Sequence, residues 1–241
     1  MEPVYIYSFP FAAGSRYSYT PLMKTTPDWL KWIPMDYPGR GRRLFEPPMI
    51  TLTAIVQDLK QKLLAQPKAP FAFYGHSMGS LVAYLLTVDL IREDKPLPIH
   101  LFLSGRGGAC IPEKQRHALQ MIRDEIVQEV QNMDGDLSLL LQNPKQFDQY
   151  EQVLRADVAA LDSYNYDQVN MGPLPTPATV FIGSADIYTT AQAQLWQHDF
   201  QAPIDVHTLP GGHFFIFPQA DVITRIIAEK LASESVPVLI T

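Results

Sequence analysis

Short apolar runs alternate along this chain with longer stretches whose apolar positions recur at helical spacing. Val4–Phe9 is almost wholly apolar and aromatic, as a strand covered on both faces should be. Lys31–Tyr37 predicts a second strand, made irregular by Pro34, which cannot donate to a ladder. Phe71–Tyr74, ended by Gly75, and Pro98–Leu103, Ala178–Ile182 and Pro203–Leu209 predict four more. Thr51–Ala65 carries Leu52, Ile55, Val56, Leu59 and Leu63 on one helical face. Met78–Ile91 does the same with Met78, Leu81, Val82, Leu85 and Leu86. Pro218–Leu231 predicts a closing helix with proline in its first turn.

Such alternation builds a mainly parallel sheet with helices on both faces. Residues 112–172 break the rhythm and hold no strand candidate. Leu119, Ile122, Ile126, Val130 and Met133 fall on one helical face, and Leu154, Val158 and Leu161 on another. Asp134-Gly135-Asp136 and Asn143-Pro144 separate the helices. The expectation is one domain over residues 1–241, with 112–172 inserted as a helical lid.

A length of 241 residues suits one domain with a large buried core. The net charge of −6 comes without any basic stripe, which argues against nucleic acid as a partner. No apolar run reaches membrane-spanning length, and Met1-Glu2-Pro3-Val4 carries no basic leader, so no membrane is expected. The single cysteine, Cys110, can make no internal disulfide, and no Cys/His cluster has metal-ligand spacing. A small packing residue is its expected role. These features predict a cytoplasmic protein, monomeric by default, without metal or cofactor.

The most informative stretch is Phe71-Ala72-Phe73-Tyr74-Gly75-His76-Ser77-Met78-Gly79. A strand runs into Gly-x-Ser-x-Gly and straight on into a helix, the context of a nucleophile elbow in the α/β-hydrolase fold. The turn aims the Ser77 hydroxyl outward at a helix N-terminus, and side chains at the flanking glycines would clash with strand and helix. A serine hydroxyl needs a base, and in this fold the partners follow in the order Ser, Asp or Glu, His. Among the later histidines, His117 and His198 fall on predicted helices and His207 within a strand. His213 follows Pro210-Gly211-Gly212, just past that strand, where a catalytic base belongs; His207 ranks next. Asp186 is the first carboxylate beyond Ala178–Ile182 and would orient the imidazole. Asp162, Asp167, Asp199 and Asp205 follow no strand directly and rank below it. The oxyanion needs N–H donors. Met78 is one candidate, and Ala12, in the small-residue loop after the first strand, is the other, with Phe11 behind it.

Several segments together resemble a known family over nearly the whole chain. They are Phe9-Pro10-Phe11-Ala12-Ala13-Gly14-Ser15, Tyr37-Pro38-Gly39-Arg40-Gly41, the elbow, and Leu103-Ser104-Gly105-Arg106. Leu154-Arg155-Ala156-Asp157, Tyr164 and Gly211-Gly212-His213-Phe214-Phe215 join them. The chain is similar to type II (external) thioesterases of polyketide and nonribosomal peptide synthesis. It departs in three places. Ala13 stands where the family usually has glycine, Gly107-Gly108-Ala109 where it often has a further arginine, and the Asp186 loop is looser. The resemblance implies hydrolysis of acyl groups from the phosphopantetheine arm of a carrier protein, under a lid whose apolar residues line an acyl chamber. Arg40, Arg42 and Arg43 could then meet an acidic carrier or simply be solvated. A general carboxylesterase or lipase, an acyltransferase and a non-catalytic binding protein are the competing readings on the same fold.

Overall fold

The computed structural model describes residues 3–234, apart from 67, 68, 113–115, 118 and 134. Met1, Glu2 and Asp134, used in the sequence reading, lie outside the described residues. Among the described residues six strands form one sheet: β1 Val4–Phe9, β2 Leu30–Pro34, β3 Phe71–His76, β4 Leu101–Ser104, β5 Ala178–Gly183 and β6 Asp205–Leu209. Their order is β2-β1-β3-β4-β5-β6, and every neighbouring pair is parallel. The helices are α1 Thr20–Thr25, α2 Leu52–Leu64, α3 Met78–Arg92, α4 Arg123–Asn132, α5 Ser138–Leu141, α6 Pro144–Asp162, α7 Tyr166–Val169, α8 Thr190–Gln194 and α9 Ala220–Glu234.

The apolar runs make sense because both sheet faces are covered. On β1, Val4 and Ile6 join one core with Tyr19, Leu22, Ile223 and Ile227 of the α1 and α9 side. Tyr7 and Phe9 point the other way, into a core with Leu59, Leu81 and Leu86 of α2 and α3. On β3, Ala72 and Tyr74 face the first core and Phe73 the second. Every residue of β4 and β5 is buried, the mark of central parallel strands.

Element boundaries moved where local chemistry outweighed hydrophobicity. β2 ends at Pro34, three residues early, and Asp36 and Tyr37 leave the sheet while staying buried. β3 does not stop at Gly75 but runs through it to His76. β4 starts only at Leu101. The last helix starts at Ala220, because the segment from His213 to Gln219 forms successive turns that carry Pro218. α2 begins at Leu52, one residue after Thr51, whose side chain accepts the Ala54 N–H at 3.3 Å and caps the helix.

Between β4 and β5 the described residues hold α4 to α7 and no strand. Ile126 and Val130 of α4 pack with Phe147, Leu154 and Val158 of α6 in a third small core, which rests on Ala12 and Ala13. Leu119 and Ile122 do not continue that face. They precede α4 and are 62% and 63% exposed. His117 likewise lies on no helix; its φ is +52°. No helix among the described residues is long and apolar enough to cross a membrane.

Candidate active site

β3 delivers Ser77 to a turn that few residues tolerate. Ser77 has φ 55° and ψ −116°, and its N–H donates to the Ser104 carbonyl at 2.7 Å. Such a conformation costs roughly 1–3 kcal/mol and persists only where the surroundings enforce it. A Cβ on Gly75 would sit 2.1 Å from the Gly79 carbonyl oxygen, and one on Gly79 1.9 Å from that of Phe9. The motif's glycines are therefore fixed by close approach of three backbone segments. From the turn, α3 starts at Met78, so Ser77 stands at a helix N-terminus.

The carboxyl ends of β5 and β6 bring the other two candidates together. Ser184 N–H donates to Leu209 O at 2.8 Å and Ala185 N–H to Gly211 O at 2.9 Å, tying the two loops. Across that junction Nδ1 of His213 lies 2.8 Å from Oδ1 of Asp186. Both side chains are buried, at 2% and 0% exposure. With Nδ1 engaged by a carboxylate, Nε2 is left as the basic nitrogen. The His213 ring lies 5.0 Å, centroid to centroid, from His76, the residue before Ser77.

The lower-ranked candidates have other occupations. Asp205 pairs with His207, also on β6, and with Lys230 of α9. Asp199 is buried and accepts the hydroxyls of Tyr84 at 3.0 Å and Tyr166 at 2.9 Å, and burial pushes its carboxyl above the ordinary range. Asp162 accepts the N–H groups of Arg116 and His117. The Cys110 thiol is pushed upward, chiefly by burial and then by Asp199, which disfavours the thiolate a nucleophile needs. No group of three or more His, Cys, Asp or Glu among the described residues could hold a metal ion.

Ser77, Met78 and Ala12 line one cavity of about 40 Å³. Its remaining walls are largely apolar, from Met121, Ile126, Val130, Met133, Leu154, Val158, Leu161 and Ile187, with Arg106, Arg116, Glu129 and Tyr188 adding polar groups. The segment between β4 and β5 thus supplies most of the lining.

A family model described as "Thioesterase domain" matches residues 5–231. The chain belongs to the thioesterase domain family. It is 29% identical over 234 residues to a Brevibacillus parabrevis protein named linear gramicidin dehydrogenase LgrE, covering 95% of this chain and 88% of that one. Among solved structures, the thioesterase RedJ of the prodiginine pathway in Streptomyces coelicolor superposes with a TM-score of 0.87 at 27% identity, covering 95% and 86% of the two chains. The type II thioesterase BorB of the borrelidin biosynthetic cluster gives 0.84 at 26% identity, covering 96% and 93%. The fold is that of the α/β-hydrolase thioesterases, and the protein is a thioesterase akin to the type II enzymes of these assembly-line pathways.

The thioesterase's shared segments acquire physical meaning in three dimensions. Ser104 joins His76 Nδ1 through its hydroxyl at 3.0 Å, while its carbonyl receives the Ser77 N–H. Gly105, at φ +63°, leaves room for the His76 ring. Tyr19 and Tyr37 donate their hydroxyls to the carbonyls of Phe9 and Pro10, at 2.6 and 2.9 Å, and so fix the start of the loop after β1.

Two of the three arginines that the sequence left to a carrier surface or to solvent are engaged elsewhere. Arg40 is 5% exposed and forms a two-pronged pair with Asp157 of α6, at 2.5 and 2.6 Å. Arg43 is committed to Glu46 and Asp58. Only Arg42 is exposed. Asp157 was visible in sequence merely as part of a shared segment. Its partner lies 117 positions away, so no local signal could have joined them.

Proposed function

We propose that this thioesterase hydrolyses acyl groups carried as thioesters on the phosphopantetheine arm of a carrier protein, for editing or release in polyketide or nonribosomal peptide synthesis. The observation that carries the reading is the 2.8 Å contact of His213 Nδ1 with Asp186 Oδ1, at the sheet end where Ser77 opens onto an apolar cavity.

In this mechanism Ser77 Oγ attacks the thioester carbonyl while Nε2 of His213 takes its proton. Asp186 holds the imidazole and stabilises its charged form. Backbone N–H groups of Met78 and Ala12 donate to the oxyanion. Collapse breaks the C–S bond, and the pantetheine thiol leaves with the proton returned by His213. Water then attacks the acyl-enzyme and gives a proton to His213. Collapse of the second intermediate releases the carboxylic acid and returns the proton to Ser77. A thiolate leaves readily, so acid–base and oxyanion catalysis suffice without a metal or cofactor of the enzyme's own.

Residues 112–172 act in this reading as a lid within a single domain, its apolar side chains receiving the acyl chain. The setting is the cytoplasm, with the chain working as a monomer. The test is hydrolysis of acyl-carrier-protein thioesters beside simple esters of the same acids. Ser77→Ala should abolish turnover, and kcat/KM should favour the carrier thioester. Activity surviving Ser77→Ala sinks the proposed nucleophile, and a strong preference for simple esters makes the protein a general esterase instead.

A further inference from the structure

The loop that carries Ala12 contains a second strained residue. Ala13 has φ +59°, a left-handed conformation in a residue with a side chain. Its N–H donates to Oδ2 of Asp157 at 2.7 Å. The same carboxylate receives both terminal nitrogens of Arg40, and Nη1 of Arg40 also reaches the Gly14 carbonyl at 3.4 Å. Asp157 is fully buried and sits in the middle of α6, on the helical segment between β4 and β5. One carboxylate thus ties that segment to the loop after β1 and to the loop after β2.

We propose that Asp157 is a positioning residue for the oxyanion donor. By accepting the Ala13 N–H it holds Ala13 left-handed, and this aims the peptide N–H of Ala12 at the developing oxyanion. Arg40 orients the carboxylate and neutralises its charge, so that the helices above the cavity and the donor loop move as one unit. The proposal rests on the reading of Ala12 as an oxyanion donor. Its chemistry is that of preorganisation: a donor held in place before the reaction needs no reorganisation during it. With glycine at position 13 the left-handed state would carry no side-chain penalty and would depend less on the clamp.

The test compares Arg40→Met/Asp157→Ala with Arg40→Met/Asp157→Asn. Both avoid a buried unpaired guanidinium, and only the second keeps an oxygen that can accept the Ala13 N–H. Rates are normalised to the sites titrated by a fluorophosphonate probe. The alanine pair should lose at least about tenfold in kcat with KM within twofold, a fraction of the loss seen when an oxyanion donor is deleted outright. A trifluoromethyl ketone, whose serine adduct carries an oxyanion, should weaken in parallel. The asparagine pair should recover most of the loss. Equal kcat in the two pairs, or an alanine pair matching the parent, overturns the proposal. Should the alanine pair not fold, Arg40→Met/Asp157→Leu, which fills the space without offering an acceptor, is measured in the parent and in the Ala13→Gly background. A loss at least threefold smaller in the glycine background is expected, and the same loss in both overturns the proposal. Ser77→Ala runs alongside. Turnover surviving there condemns the functional reading, whereas an inert Ser77→Ala with unaffected Asp157 variants condemns only the role given to Asp157.

Discussion

Oδ1 of Asp186 lies 2.8 Å from Nδ1 of His213, and neither side chain is open to solvent. The contact joins loops that follow β5 and β6, 27 positions apart in the chain. An amide at position 186 would keep the shape but present a donor or a neutral acceptor to the ring, and would no longer stabilise an imidazolium. Asp186→Asn should therefore fold normally and lose about 10³–10⁴ in kcat on an acyl thioester. Steady-state kinetics on folded, titrated enzyme checks this. Intact turnover with transfer of the acyl group to a thiol acceptor would favour an acyltransferase.

The buried His76 ring gives a pH signature to stability. Burial first, and then the charge of His213, hold its pKa well below the ordinary histidine range. In the unfolded chain it would titrate near 6.5. Between the folded and unfolded values the unfolded state binds the extra proton, so stability rises with pH there and is complete above about 6.5. Urea unfolding should show stability falling as pH drops below that point, by up to about 1.4 kcal/mol per pH unit from this group. His76→Gln should flatten that part of the profile. An unchanged slope would mean that His76 does not set it.

Gly105 faces the same ring. A Cβ there would lie 2.2 Å from Cε1 of His76, at a φ of +63°. The turn and the ring cannot both keep their places. Gly105→Ala should cost about 2–5 kcal/mol, combining left-handed strain with overpacking. Its urea midpoint should fall accordingly. A loss under about 0.5 kcal/mol would refute this packing argument.

Cys110 should be a spectator. Its raised pKa keeps the thiol protonated at neutral pH, and alkylation should be slower than for an ordinary free cysteine, rising only at higher pH. Cys110→Ala should retain full turnover. Mass spectrometry of iodoacetamide-treated protein, with kinetics of the variant, tests both halves.

Met133 lines the cavity beside Ser77 without being fully buried. Shortening it should enlarge a chamber of only about 40 Å³ at modest cost to folding. Met133→Ala should raise kcat/KM for longer acyl chains relative to shorter ones by roughly tenfold, the value of one or two methylenes in an apolar pocket. A panel of acyl lengths on one carrier protein measures the shift, and an unchanged ratio would remove Met133 from the specificity wall.

Much of this was legible locally. The elbow announces itself because a strand, two obligatory glycines and a helix start are all short-range signals, and the structure's Cβ clashes explain each glycine. Asp186 and His213 were singled out as candidates by the rule that functional loops follow strand ends, which needs only strand positions in order. Boundaries were less legible. Pro34 and Pro218 mark places where backbone donors are missing, and there the chain left sheet or delayed helix against its hydrophobic pattern. Leu119 and Ile122 fit a helical face by spacing alone, yet lie outside α4, because periodicity extends past the point where packing partners exist.

The sequence by itself determined the order of strands and helices, the strained serine turn and the partners expected to serve it, because each depends on neighbours along the chain. Only the tertiary structure decided what Arg40 and Asp157 are for. In sequence the arginine belonged to a loop suited to solvent or a carrier surface. In the fold it is buried against a carboxylate 117 positions away, which also holds the N–H of Ala13. A buried charge is stable only with its partner, and partners that distant are chosen by how layers pack.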